Sequence, residues 1–263
     1  MFHTTCISRI LVLFLTLSTL QAEKLEQFVF ENPPFASCHA STLTETTSGA
    51  LLCAYFAGTD EGAGDVGVWL SERTENSWSP PRLIAQEEGV PAWNPVLFTT
   101  PSGEILLFYK LGENPRSWSG MMKRSFDEGK SWSKEESLPA GVIGPVKNKP
   151  LLIDQKKFVC PSSIETWHRW GCWMDITSDG GKKWTKSSPI NLKDDLYGII
   201  QPTIFLTSEG DLRLLARSRM RRICTALSKD GGSTWTEALP TELPNPNSGI
   251  DAIKLHSGQI LLV

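Results

Sequence analysis

Ser125-Phe126-Asp127-Glu128-Gly129-Lys130-Ser131-Trp132 returns as Thr177-Ser178-Asp179-Gly180-Gly181-Lys182-Lys183-Trp184, and again as Ser228-Lys229-Asp230-Gly231-Gly232-Ser233-Thr234-Trp235. The shared pattern is Ser/Thr-x-Asp-x-Gly-x-x-Trp. Its aspartates, at 127, 179 and 230, stand 52 and 51 residues apart. A worn copy, Ser71-Glu72-Arg73 running to Trp78, lies 54 residues ahead of the first, counted from 73 to 127. A fixed period of this size marks repeated supersecondary units. The pattern also has a structural logic. An Asp carboxylate can accept hydrogen bonds from the amides of a tight turn, and Gly allows a positive φ there. Trp is a large apolar plug, read here as filling the space between strands. These aspartates are therefore read as structural, not catalytic.

Two more columns share the period. His39-Ala40-Ser41-Thr42-Leu43, Asn94-Pro95-Val96-Leu97-Phe98, Lys149-Pro150-Leu151-Leu152-Ile153, Gln201-Pro202-Thr203-Ile204-Phe205 and Asp251-Ala252-Ile253-Lys254-Leu255 align as a polar residue, then Pro or Ala, then an apolar strand. Proline is tolerated at the first residue of a strand, so this column is read as marking where a strand begins. Gly49, Gly103, Gly210 and Gly258 each open a second apolar strand. A third strand runs into each Asp turn, and a short one follows each Trp. No segment shows a helical period. Four-stranded units of this length are blades of a β-propeller, so the fold expected is all-β. Four units are complete and a fifth begins at Asp251, with Val263 in its second strand. The chain is thus expected to be C-terminally incomplete. Residues 24–31 are expected to close the ring as the outermost strand of the last blade.

The chain has 263 residues and a formal charge of −3, which gives no electrostatic case for nucleic acid. Residues 1–22 read as a secretory signal, with Arg9 ahead of the apolar residues 10–20 and Ala22 at a small-residue cleavage position. The mature domain would then be 23–263, secreted or periplasmic, with no membrane span after signal removal. Of six cysteines, Cys6 lies in that signal. Cys38 with Cys53, and Cys160 with Cys172, are possible disulfides, and buried thiols inside strands are the favoured alternative. No CxxC or His/Cys cluster suggests a zinc site, and no cofactor motif is present.

In a propeller the first strand of each blade lines the central channel. The first column thus places His39, Asn94, Lys149, Gln201 and Asp251 around one mouth, and convergent polar groups at a concavity are a binding-site signature. Trp93 offers an aromatic face for a sugar. Arg217 and Arg219 end an apolar run; on a period of two they share a side, and arginine binds carboxylates bidentately. Asp60 lies in the Gly-rich loop Gly58-Thr59-Asp60-Glu61-Gly62, where a carboxylate raised by burial can serve as general acid. Calcium is a rival reading of that loop, without EF-hand spacing. Glu165 follows a strand and is a second candidate carboxylate.

With these features the chain resembles the sialidase (neuraminidase) superfamily over residues 35–263, and is most similar to bacterial neuraminidase-like proteins with BNR/Asp-box repeats. The resemblance implies a six-bladed sialidase-type propeller, of which this chain would hold about four and a half blades. It also implies an arginine triad for a sugar carboxylate, a tyrosine nucleophile assisted by a glutamate, and an aspartate acid/base. Asp60 falls in the loop of the acid/base, and Arg217 or Arg219 resembles the second triad arginine. The first arginine belongs to an Arg-Ile-Pro motif; here the segment reads Cys38-His39-Ala40. The assisting glutamate falls near Gln201, which cannot be a base. The tyrosine and the third arginine would lie beyond Val263. The expectation is a sialidase-like glycoside hydrolase acting on a terminal acidic sugar of a glycan. A non-catalytic carbohydrate-binding propeller is one alternative. A polysaccharide lyase using His39 and Lys149 is the other.

Overall fold

The computed structural model describes residues 26–263, so the signal read in residues 1–22 lies outside the described residues. No described residue is helical, and no described helix is long and apolar enough to cross a membrane. Strands β1 (Ser37–Glu45), β2 (Leu51–Gly58) and β3 (Gly67–Thr74) form blade I with an outer strand in two pieces, β4 (Ser77–Trp78) and β5 (Arg82–Ala85). The break falls at Pro80 and Pro81, which have no N–H to give a ladder. Blade II holds β6 (Ala92–Thr99), β7 (Ile105–Leu111), β8 (Ser119–Ser125) and β9 (Glu136–Ser137). Blade III holds β10 (Leu151–Leu152), β11 (Phe158–Glu165), β12 (Trp170–Thr177) and β13 (Thr185–Lys186). Blade IV holds β14 (Ile199–Leu206), β15 (Leu212–Ser218), β16 (Arg222–Ser228) and β17 (Leu239–Pro244). A two-stranded hairpin of β18 (Ala252–Lys254) and β19 (Ile260–Leu262) follows, labelled V. Every pairing within a blade is antiparallel, and all are sequential except that β5 returns to pair with β3, as suits the broken outer strand of a β-propeller blade.

The cores lie between blades. Leu52, Ala54 and Leu70 of blade I meet Leu97, Leu107 and Tyr109 of blade II. Phe108 and Met122 of blade II meet Phe158 and Cys160 of blade III. Val159, Met174 and Ile176 of blade III meet Ile204, Leu212 and Leu214 of blade IV. Each fully buried side chain of this kind contributes about 1.5–3 kcal/mol. The repeat tryptophans belong to these seams. Trp132, Trp184 and Trp235 pack on the blade I–II, II–III and III–IV cores respectively. They plug the space between a blade and its predecessor, not between strands as expected.

The three Asp turns share one bonding scheme, except that in the first the Lys130 amide donates to Asp127 O (3.3 Å) and Trp132 Nε1 has no hydrogen-bond partner among the described residues. In the third, Ser228 Oγ donates to Asp230 Oδ1 (2.9 Å), the Gly232 amide donates to Ser228 Oγ (2.9 Å), and the Ser233 and Thr234 amides donate to Asp230 Oδ1 (3.0 and 2.9 Å). These bonds hold the carboxyls low: Asp127 and Asp230 fall to about 2, chiefly through the hydroxyls of Ser131 and Thr234. The worn copy differs. It is a two-residue hairpin at Glu75 and Asn76, with Thr74 paired to Ser77.

Among the described residues, the face of blade I away from blade II is covered by residues 26–36. Val29, Phe30 and Phe35 pack on Tyr55, Trp69 and Trp78. Gln27 is tied to the outer hairpin, accepting from Arg73 Nε (3.0 Å) and donating to Asn76 O (2.6 Å). The described part of the 24–31 segment is therefore coil on blade I, not an outer strand of another blade. The five described cysteines are free thiols, four of them buried, so neither possible disulfide forms.

Candidate functional site

Antiparallel order puts the starts of the first and third strands and the ends of the second strands at one end of every blade. The Asp turns occupy the other end. His39, Asp60, Trp93, Asn94, Lys149, Glu165, Gln201, Arg217, Arg219 and Asp251 all fall at the first end. Within that end they separate into two groups.

The first group spans blades III to V. Arg217, half-buried near the end of β15, donates from Nε to Asn247 Oδ1 (3.1 Å) and from Nη1 to Gln201 Oε1 (3.1 Å). Its guanidinium carbon lies 5.8 Å from the Trp170 ring centre. Burial lowers its pKa and the nearby Glu165 carboxylate partly offsets that. Glu165 is paired with Trp170 across β11 and β12. Gln201 is itself fixed, its amide donating to Ser163 Oγ (3.0 Å) and its carbonyl accepting from Asn148 Nδ2 (3.1 Å). Lys149 Nζ lies 3.7 Å from Asp251 Oδ2, and Asp251 Oδ1 accepts from the Ala252 amide (2.8 Å). Arg219 does not join Arg217. The strand alternation that would align them stops at Ser218, and Arg219 stacks over Tyr197 at 4.2 Å.

The second group lies on blades I and II. Trp93 is 7% exposed and packs on Phe56 and Trp118 (centroids 5.7 and 5.8 Å apart), with Nε1 donating to Gly112 O (2.7 Å). It is a core ring and not the open sugar-stacking face expected, because these rings cover it. His39 is exposed and stacks on Phe56 (5.6 Å). It shares no ring contact or ion pair with Lys149, which pairs with Asp251 in the first group. Asn94 is buried at a left-handed φ of 37°. The Asp60 loop leans on Trp93 through Gly62, whose φ of 84° and closeness to the ring (3.3 Å from an added Cβ) suit only glycine. Asp60 itself is exposed and accepts from the Glu61 amide (2.9 Å). The burial expected of a general acid is not supplied by the protein alone.

Strand register corrects the first column. Thr42, Val96 and Thr203 occupy the same rung, paired with Ala54, Phe108 and Leu215. Two residues earlier stand Ala40, Asn94 and Gln201, each at a left-handed φ (52°, 37° and 49°) beside a register shift. The prolines Pro95 and Pro202 therefore sit at bulges inside β6 and β14, not at strand starts. The blade III and V equivalents are Lys147 and Gly249, not Lys149 and Asp251; the blade I equivalent is Ala40, not His39. A signal for this was available. Ala40, Asn94, Gln201 and Gly249 each stand nine residues ahead of the turn glycines 49, 103, 210 and 258, and nine back from residue 156, in the same turn of blade III, is Lys147. Lys147, Asn148, Trp170 and Asn247 are thus site residues that the column missed.

A buried cluster underpins the connector carrying Lys147. Asp175 is fully buried and accepts from the Ile143 and Gly144 amides (3.0 and 2.9 Å), Ser162 Oγ (2.8 Å) and Trp173 Nε1 (2.8 Å). Burial raises its pKa against those bonds. Lys110, also fully buried, donates to Pro145 O, and burial brings it down to about 7. Residues 143–145 are therefore gripped from blade II and from blade III. Among the described residues no cluster of three or more His, Cys, Asp or Glu side chains is placed to hold a metal ion.

Solved structures share this architecture. A protein of unknown function from Dyadobacter fermentans DSM 18053 superposes with a TM-score of 0.75 at 17% identity, over 89% of this chain and 76% of that one. The NanB sialidase of Streptococcus pneumoniae gives 0.70 at 14% identity, over 90% and 58%. The leech intramolecular trans-sialidase gives 0.71 at 13% identity, over 92% and 58%. This chain thus spans under three-fifths of those two enzymes. No curated protein sequence matches it. The BNR repeat-like domain family matches residues 49–263, which include all three Asp turns and both site groups apart from His39 and Ala40, and the chain belongs to that family with the fold of the sialidases.

Proposed function

We propose that this protein is a sialidase-like glycoside hydrolase that acts on a terminal acidic sugar of a glycan, with Arg217 receiving the sugar carboxylate. One observation carries the reading. Arg217 is half-buried and held in place by two neutral amides, Asn247 and Gln201, which fix its plane; among the described residues its charge has no hydrogen-bonded carboxylate. A preset guanidinium of this kind suits bidentate binding of a carboxylate. Glu165 beside Trp170 and Asp60 on its loop are the two carboxylates for the reaction, with Asp60 as general acid once the bound sugar covers it. The repeated turns are read as Asp-boxes. The leader 1–22 would send the domain 23–263 out of the cytoplasm.

The test is turnover of a panel of sialosides and uronic-acid glycosides. Hydrolysis by the chain that falls in both R217A and D60N supports the reading. Undiminished hydrolysis in D60N removes the acid assignment, and undiminished binding of acidic sugar in R217A removes the whole reading. A non-catalytic glycan-binding role is favoured by two features, the amide of Gln201 where a base would stand and the exposure of Asp60. Binding with no turnover, in this chain and in any longer form of it, would decide for that role.

A further inference from the structure

We infer that Lys147 is a second cation of the anion seat, determining selectivity for a monocarboxylate sugar; this rests on the acidic-sugar reading of the Arg217 site. Lys147 stands where blades I, II, IV and V carry Ala40, Asn94, Gln201 and Gly249, so it brings the only charge to that position. Its ammonium donates to Ile250 O (3.1 Å) and to Asn148 Oδ1 (3.2 Å). Asn148 in turn donates to Gln201 O, and Gln201 holds Arg217. The two cations are therefore set by one continuous set of hydrogen bonds. The stem of Lys147 crosses Gly249, where an added Cβ would lie 2.7 Å from Cε. A side chain at 249 would displace the lysine.

The electrostatics of this arrangement are unfavourable without a ligand. Burial disfavours the charged form of Lys147 most, and Lys149 and Arg217 add like charges. Asp251 opposes this but is ion-paired with Lys149. Like charges held near one another at half-buried positions are an arrangement that an anion would relieve. The charges also indicate which anion. Arg217, Lys147 and Lys149 face Asp251 and Glu165, leaving a surplus of one positive charge. That balance suits a single carboxylate better than a dianionic phosphate ester.

Isothermal titration with N-acetylneuraminic acid, glucuronic acid, their methyl esters and galactose 6-phosphate tests this on the whole chain. Wild type should prefer an acid to its ester and to the phosphate. K147M should weaken the acid about tenfold or more while leaving ester binding unchanged, the loss expected for one charge-assisted hydrogen bond. K147R should retain most of the preference, and G249A, which keeps the charge but shifts its stem, should reduce it. If wild type binds neither acid, the acidic-sugar reading itself fails. If wild type prefers the acid and K147M keeps that preference, Lys147 is only a structural tie and the inference is overturned. If K147M does not fold, G249A and K147R decide: equal acid affinity in G249A, K147R and wild type overturns the inference. A phosphate preference in wild type overturns the charge matching.

Discussion

The two ends of the blades obey opposite rules. At the Asp-turn end, three blades repeat the same Ser/Thr, Asp, Gly and Trp, and in each turn the Ser/Thr hydroxyl links the Asp carboxylate to the amide of the Gly four residues on. At the other end, one backbone position carries Ala40, Asn94, Lys147, Gln201 and Gly249 in turn. The backbone there is held in common, with a bulge and a left-handed residue in three blades, while the side chains diverge. Sameness of side chain follows the needs of packing. Divergence on a shared backbone is what the proposed glycan site requires. The second strands tell the same story in miniature. Lys110 and Arg217 occupy the same rung, paired with Trp93 and Ile200. One is sealed in and grips a connector, and the other lies half-open beside polar partners.

The contrast breaks most visibly at the seams. Trp184 stands against Phe108 and Phe158 (centroids 6.2 and 6.0 Å away) and donates to Gly181 O (3.0 Å). W184A should destabilise by about 3 kcal/mol in chemical denaturation, the lower end for a large aromatic because the ring is only partly buried. At the mouth the balance reverses. R217A should lose about tenfold to a hundredfold in affinity for an acidic sugar by titration, with little change in melting temperature. A large fall in melting temperature in R217A would show that this end, too, is scaffold.

Lys110 sharpens the line between its fate and that of Arg217. Its folded pKa, about 7, lies below the ordinary 10.5. Between those values the unfolded chain holds the proton and the folded chain does not, so stability rises with pH through that window. Below it, the folded protein must carry a buried charge and that gain is lost. Stability measured from pH 7 to 10.5 should climb in wild type and lie flatter in K110M. A matching climb in both would show that other groups set the slope.

Much of the turn end was legible from sequence because the same interaction recurs at a fixed period. Asp127, Asp179 and Asp230 read as structural from the pattern alone, and each accepts hydrogen bonds from its own turn. The mouth was legible only as a region. Arg217 was recognisable from its strand end, but the His39 and Lys149 columns were out of step. A bulge inserts a residue without changing the strand's apolar pattern, so hydrophobic periodicity does not register it. Lys147 was hidden further because blade III has only two residues in β10, and because residue 156 is Lys where other blades have the turn glycine. Trp93 reads from sequence as an aromatic at a mouth, and only packing with Phe56 and Trp118 shows it closed over.

The smallest effect falls on the one turn that departs from its siblings. Glu128 takes a left-handed φ of 59°, where the other two turns place Gly180 and Gly231 (75° and 69°). An L residue is strained there, so glycine should be favoured on backbone grounds alone. The carboxylate offers a competing benefit. It accepts from Thr47 Oγ1 (2.6 Å), the Ser48 amide (2.9 Å) and Ser48 Oγ (2.8 Å), tying blade II to the first turn of blade I. Those bonds, Thr47 first, hold its pKa below the usual carboxylate range. The tie therefore stabilises the fold above that range and is lost as pH falls through the depressed value. Melting temperatures at neutral pH should rank wild type, then E128G, then E128A. The first gap reads the tie net of strain relief, and the second reads the strain that alanine retains. Near pH 3 the first gap should narrow while the second persists. If E128G melts above wild type at neutral pH, the bonds across the seam are weaker than the strain, and glycine at this position is simply the better turn residue.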